Sequence, residues 1–160
     1  MDTYERQVRV AAPLSEVWDF HATGEGLAAL TPDWLNIRIE EQRGPDGEPD
    51  PDELTAGSVV VSSIRPFGVG PRQRWVSDIV ERREGDGEAM FRDEMREGPF
   101  PHWVHTHSFR ADGDDGTIVR DRVEYELPGG PLGRAVGPLG LLGFEPMFRY
   151  RHRKTKELLE

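Results

Sequence analysis

Asp93, His105, His107 and Asp121 are the residues of this chain best suited to chemistry, and all four fall at odd-numbered positions within one run of strands. A histidine held between carboxylates can keep, donate or recover a proton near neutral pH, which is the work of a general acid or base. The same groups can instead fix a hydroxyl or carbonyl of a bound molecule, or simply satisfy one another inside a core. Which of these applies depends on whether they share a face.

Three runs carry them: Phe91-Arg-Asp93-Glu-Met95, Trp103-Val-His105-Thr-His107-Ser-Phe109, and Thr117-Ile-Val119-Arg-Asp121-Arg-Val123-Glu-Tyr125-Glu-Leu127. In the third, the odd positions are largely apolar and the even ones read Arg120, Arg122, Glu124 and Glu126, the pattern of an antiparallel strand wet on one side. The odd face is therefore the inner one. Tight turns at Gly98-Pro-Phe-Pro101 and Asp112-Gly-Asp-Asp-Gly116 would set Asp93 opposite His107, Met95 opposite His105, His107 opposite Asp121 and Trp103 opposite Tyr125. Cβ atoms so placed are about 4.5–5.5 Å apart. A slip of one residue would send the partner to the other face.

Three readings share this row. In one His107 is a core histidine satisfied by two acids, in the second it is the polar end of a ligand pocket, and in the third it is an acid/base group with Asp93 or Asp121 as its orienter. The candidate catalytic residues are accordingly His107, Asp93 and Asp121. His105 and His107 share a face, but no further ligand spacing points to a metal, and no motif calls for a cofactor. The candidate ligand-binding set is Trp75, Phe91, Met95, Trp103, His105, His107, Phe109, Tyr125, Phe144 and Phe148, with core filling as the alternative for the aromatics. His21 reads as a helix-end packing residue, and Arg149–Lys154 as a basic cluster balancing an acidic surface.

The remaining elements must hold these groups in place. Tyr4 to Val10 alternates as an opening strand, and Pro13 starts a helix over Leu14–Ala22. A second short helix spans about Glu25 to Leu30, and a strand is expected over Trp34–Glu41. Gly44–Gly57 is a solvated loop, followed by strands at Val59–Ile64 and Arg72–Arg83. Gly130-Pro-Leu-Gly133 recurs as Gly137-Pro-Leu-Gly140, and glycine and proline at this density weaken a helix. A broken or mobile stretch over 131–143 is expected, then a solid helix from Phe144 to Leu159 with Phe144, Met147, Phe148, Arg151 and Leu158 on the sheet side. The order predicts a single α+β domain over 1–160: a curved antiparallel sheet of about seven strands around a long C-terminal helix, enclosing a small-molecule cavity with the 131–143 stretch as its gate.

Bulk composition narrows the partners. The chain has 30 acidic and 20 basic residues, a formal charge of -10. That surface disfavours nucleic acid, whose phosphates need basic partners. Lys154 and Lys156 are the only lysines, and an acidic, lysine-poor composition resembles that of halophilic archaeal proteins, where carboxylates keep a surface hydrated in concentrated salt. With no cysteine there are no disulfides and no thiolate chemistry. The N-terminus lacks a signal-peptide layout and no apolar run could span a membrane, so a cytoplasmic protein with at most transient membrane contact is expected.

Val8-Arg-Val-Ala-Ala-Pro-Leu-Ser-Glu-Val-Trp18 resembles the strand-to-helix entry of the START-related, birch-pollen-allergen-like helix-grip superfamily. Gly98-Pro-Phe with Trp103-Val-His-Thr-His-Ser-Phe109, Asp121-Arg-Val-Glu-Tyr-Glu-Leu-Pro128 and Phe148-Arg-Tyr-Arg-His152 resemble a prokaryotic polyketide cyclase/dehydrase-like subgroup. The resemblance spans essentially the whole chain. It implies a carrier or binder of a hydrophobic or aromatic molecule (a lipid, quinone or polyketide-like compound), with coenzyme-Q-binding proteins among the relatives. A cyclase or dehydratase, or a partner-binding module without small ligand, are the alternatives, since this fold does not fix function.

Overall fold

The computed structural model describes residues 1–137 and 140–160. Period-two alternation builds seven strands: β1 (Asp2–Val10), β2 (Arg38–Arg43), β3 (Val59–Ile64), β4 (Gln73–Gly85), β5 (Glu88–Glu97), β6 (His102–Ala111) and β7 (Thr117–Glu126). They form one antiparallel sheet in the order β1-β7-β6-β5-β4-β3-β2. Helices α1 (Leu14–His21) and α2 (Gly24–Leu30) follow β1, and α3 (Gly130–Val136) and α4 (Gly140–Leu159) follow β7. This is the helix-grip arrangement. Thr23 caps α2, its hydroxyl accepting the Gly26 amide at 3.0 Å.

The inner face of the sheet is the odd face through β6 and β7: Trp103, His105, His107 and Phe109, then Thr117, Val119, Asp121, Val123 and Tyr125, are all buried. The apolar ones fall into two clusters. Val10, Val17, Trp18, Phe109 and Val119 pack under α1, and Tyr4, Trp103, Val123, Tyr125, Phe144 and Phe148 pack under α4. Each fully buried side chain of this size contributes about 1.5–3 kcal/mol. The histidines and Asp121 lie along β6 and β7 between the two clusters, so a polar belt divides the core.

The β6–β7 register has His107 opposite Asp121 and Trp103 opposite Tyr125. The β5–β6 register differs from the expected one by two residues: Phe91 faces His107 and Asp93 faces His105. Its turn centres one residue earlier than expected, within the Gly98–Pro101 connection, where Pro99 and Pro101 have no N–H to extend the ladder. A shift of two preserves parity, so every side chain keeps its face.

Three other expectations need correction. Trp34 is not in a strand: Asp33–Leu35 is a 3-10 turn closed by Asn36 in the left-handed region at φ 50°, and β2 begins only at Arg38. Leu158 is 47% exposed, and it is the next residue, Leu159, that packs against the cluster under α1. The long helix starts at Gly140 rather than Phe144, with α3 before it; residues 138–139 of the expected broken stretch lie outside the described residues.

Candidate ligand cavity and its histidine–carboxylate belt

A cavity of about 330 Å³ lies between the sheet, α2 and α4. Its wall is largely apolar, including Leu27, Leu30, Val60, Ile64, Trp75 and Phe100. Of the side chains expected to face a ligand, Trp75, Phe91, Trp103, His105, His107, Phe144 and Phe148 line it, and Asp93 joins them. Met95, Phe109 and Tyr125 do not. Phe109 belongs to the cluster under α1, and Met95 packs at the edge of the other cluster. Tyr125 is fully buried and donates its hydroxyl to the Gly137 carbonyl at 2.8 Å, a structural role behind the wall. Sharing the inner face was not enough, because the two clusters close both ends of it.

Asp121 also stands behind the wall, 1% exposed, and gathers the belt together. His105 Nε2 donates to its Oδ1 at 2.7 Å, and His152 Nε2 to its Oδ2 at 2.5 Å. His107 Nδ1 lies 3.3 Å from Oδ1 without hydrogen-bond geometry, and Arg151 Nε is 3.9 Å away. On the cavity side, His107 Nε2 lies 2.9 Å from Asp93 Oδ2. Stacking fixes the rings: Phe91 lies flat on His107 at 3.9 Å and 12°, and the His105 and His107 centroids are 3.6 Å apart. Despite the shifted register, Asp93 thus reaches His107 diagonally.

Burial opposes charge on Asp121, but the hydrogen bonds from His105 and His152, with the His107 ring beside them, outweigh it and hold the carboxyl well below the ordinary range. Asp93 behaves likewise: burial raises its pKa, and the hydrogen bond and charge of His107 bring it below the usual value. Burial and the neighbouring His107 push His105 down to about 4, so its ring is neutral at pH 7. With Nε2 giving its hydrogen to Asp121, His105 carries its lone pair on Nδ1.

His152 and Arg151 are the residues that sequence reasoning missed in this role. The Arg149–Lys154 segment looked like surface charge, yet His152 is 2% and Arg151 9% exposed. The apolar stripe of α4 already placed Arg151 toward the sheet; His152, one position on, is buried at the flank of that stripe. His21 packs as expected, Nδ1 donating to the Val17 carbonyl at 2.7 Å and its ring against Phe109, and it also lines the cavity. Burial lowers its pKa to about 3. Asp93, His105 and His107 offer ligand atoms within 4.8 Å of one another, a grouping made by two strands and invisible to spacing along one.

An open antiparallel sheet curled over a C-terminal helix, with an apolar cavity between them, defines the START-like helix-grip class. Residues 10–142 match the family model described as polyketide cyclase / dehydrase and lipid transport, and the chain belongs to that family. Solved structures agree on the fold. A protein from Thermus thermophilus is 17% identical over 99% of this chain and 100% of its own, with a TM-score of 0.64. Norcoclaurine synthase from Thalictrum flavum, in complex with dopamine and hydroxybenzaldehyde, is 16% identical over 99% and 86%, TM-score 0.65. A START superfamily protein from Mycobacterium smegmatis is 16% identical over 98% of both chains, TM-score 0.56. No curated protein matches the sequence significantly. Among the described residues, no helix is long and apolar enough to cross a membrane.

Proposed function

We propose that this protein binds a largely apolar, one- or two-ring small molecule bearing one polar group, held in the cavity between the sheet and α4. The observation that carries the reading is how the wall is divided. Aromatic and aliphatic side chains cover most of it, while Asp93, His105, His107 and Arg151 meet at one end. That distribution supplies affinity through the wall and orientation through a few convergent polar groups. An apolar cavity of about 150 Å³ accommodates benzene. One of about 330 Å³ suits roughly twice that, and less readily an extended acyl chain. Family membership supports a hydrophobic ligand, and the norcoclaurine synthase neighbour has been seen with two aromatic compounds.

Native mass spectrometry before and after organic extraction tests this, with anilinonaphthalene sulfonate as a probe of the emptied protein. An extractable compound, or saturable probe binding that an added apolar ligand displaces, is the expected result. Protein that carries nothing and takes up no apolar probe overturns it.

One contact favours a second reading. The Asp93–His107 pair sits on the cavity wall itself, where a bound carbonyl or hydroxyl could reach it. In a cyclase or dehydratase, His107 would exchange the proton and Asp93 would orient the ring. His107→Ala would then cost roughly 10²–10⁴-fold in rate. In a carrier the same change alters affinity and there is no turnover to lose.

A further inference from the structure

We propose that Asp93, His105 and His107 form a three-ligand site for a divalent transition-metal ion at the polar end of the cavity. Their ligand atoms already lie within 4.8 Å of one another. Two imidazoles and one carboxylate are a donor set that suits Zn²⁺, Fe²⁺ or Co²⁺, whereas Mg²⁺ and Ca²⁺ call for oxygen alone.

The arrangement around the three residues carries the inference further than their proximity. Metal-binding histidines almost always give their second nitrogen to a carboxylate or carbonyl that fixes the tautomer. Asp121 stands in that place for both rings. It accepts from His105 Nε2 at 2.7 Å, leaving the Nδ1 lone pair available, and it lies 3.3 Å from His107 Nδ1. That His107 nitrogen is buried with no hydrogen-bond partner. A metal on His107 Nε2 would place the ring hydrogen on Nδ1, facing Asp121, and so satisfy the orphaned atom. The division between wall and interior follows the same logic. Asp93, His105 and His107 line the cavity, whereas Asp121 and His152 do not. Three protein ligands leave coordination positions open toward the cavity, the design of a metal that meets a substrate rather than one that braces a fold.

The inference goes beyond the ligand-binding reading, and metal binding is measured without any organic molecule present. Untagged protein, stripped with chelator, would be titrated with Co²⁺ and Zn²⁺ by visible absorption and calorimetry. One equivalent per chain is expected, with Co²⁺ ligand-field bands showing nitrogen ligation. His105→Gln, His107→Gln and Asp93→Asn should each abolish the saturable phase. Asp121→Asn, acting through the two rings, should weaken binding by about 10–100-fold. His102→Gln, on the opposite face of β6, should change nothing. Absence of a one-equivalent phase, or binding indifferent to the two histidine variants, overturns the proposal. Should a variant fail to fold, the wild-type imidazole NMR signals decide: Co²⁺ must shift or broaden His105 and His107 before His102, and the reverse order refutes the site.

Discussion

His152 on α4 and Asp121 on β7, 31 residues apart in the chain, meet through a single hydrogen bond of 2.5 Å in the middle of the core. The contact ties the gripping helix to the sheet behind the cavity wall, at the point where the two apolar clusters separate. Because Asp121 also holds His105 and faces Arg151, removing its carboxylate would strand several buried polar groups at once. Breaking one partner out of a buried charged cluster costs about 3–5 kcal/mol. Asp121→Ala should therefore lower stability by about that amount in urea denaturation. Asp121→Asn, which keeps shape and accepts at one oxygen, should cost less.

The cavity can be filled without touching the belt. Ser77 lines it from β4 and is half-buried. Ser77→Phe should remove apolar probe uptake while leaving the thermal midpoint near the wild-type value, since the new ring occupies existing space. Probe binding that survives in the folded variant would place the binding surface elsewhere.

Acid should weaken the fold before the carboxylates titrate. His21 and His105 have pKa values lowered to about 3 and about 4, against about 6.5 in the unfolded chain. A group whose folded pKa is depressed contributes full stability above the unfolded value. Here that contribution is lost as pH falls from about 6.5 toward 4 and 3, because the unfolded chain takes up the protons first. The loss should be on the order of a few kcal/mol in total. Urea midpoints measured from pH 7 to 4 should decline, and His21→Gln should flatten part of the slope. A midpoint constant over that window contradicts the assignment of both rings as neutral.

Salt should act in the opposite sense. With a formal charge of -10, much of it in solvent-exposed carboxylates, self-repulsion destabilises the compact state at low ionic strength. At about 1 M salt the screening length falls to about 3 Å, and that repulsion is largely removed. The thermal midpoint should rise from low salt to molar KCl. A fall would mean that the exposed ion pairs, such as Arg9–Asp112 and Arg120–Glu5, outweigh the net charge.

What the sequence determined by itself was parity and order. Alternation has a period of two, so the arginines and glutamates at 120, 122, 124 and 126 were enough to turn Asp121, and with it His105 and His107, inward. The five-residue Asp112–Gly116 turn set the β6–β7 register, and the strand and helix succession predicted the sheet and its gripping helix. What only the tertiary structure decided was distance across elements. The β5–β6 register depended on where a proline-rich connection bends, which no local preference resolves. Met95, Phe109 and Tyr125 shared the correct face yet left the cavity, because the two apolar clusters close around its ends. His152 came to Asp121 from a helix whose own periodicity offers Arg151 first. Side-chain direction is a local property of the backbone, whereas a meeting between residues of β5, β6, β7 and α4 exists only once the helix has settled on the sheet.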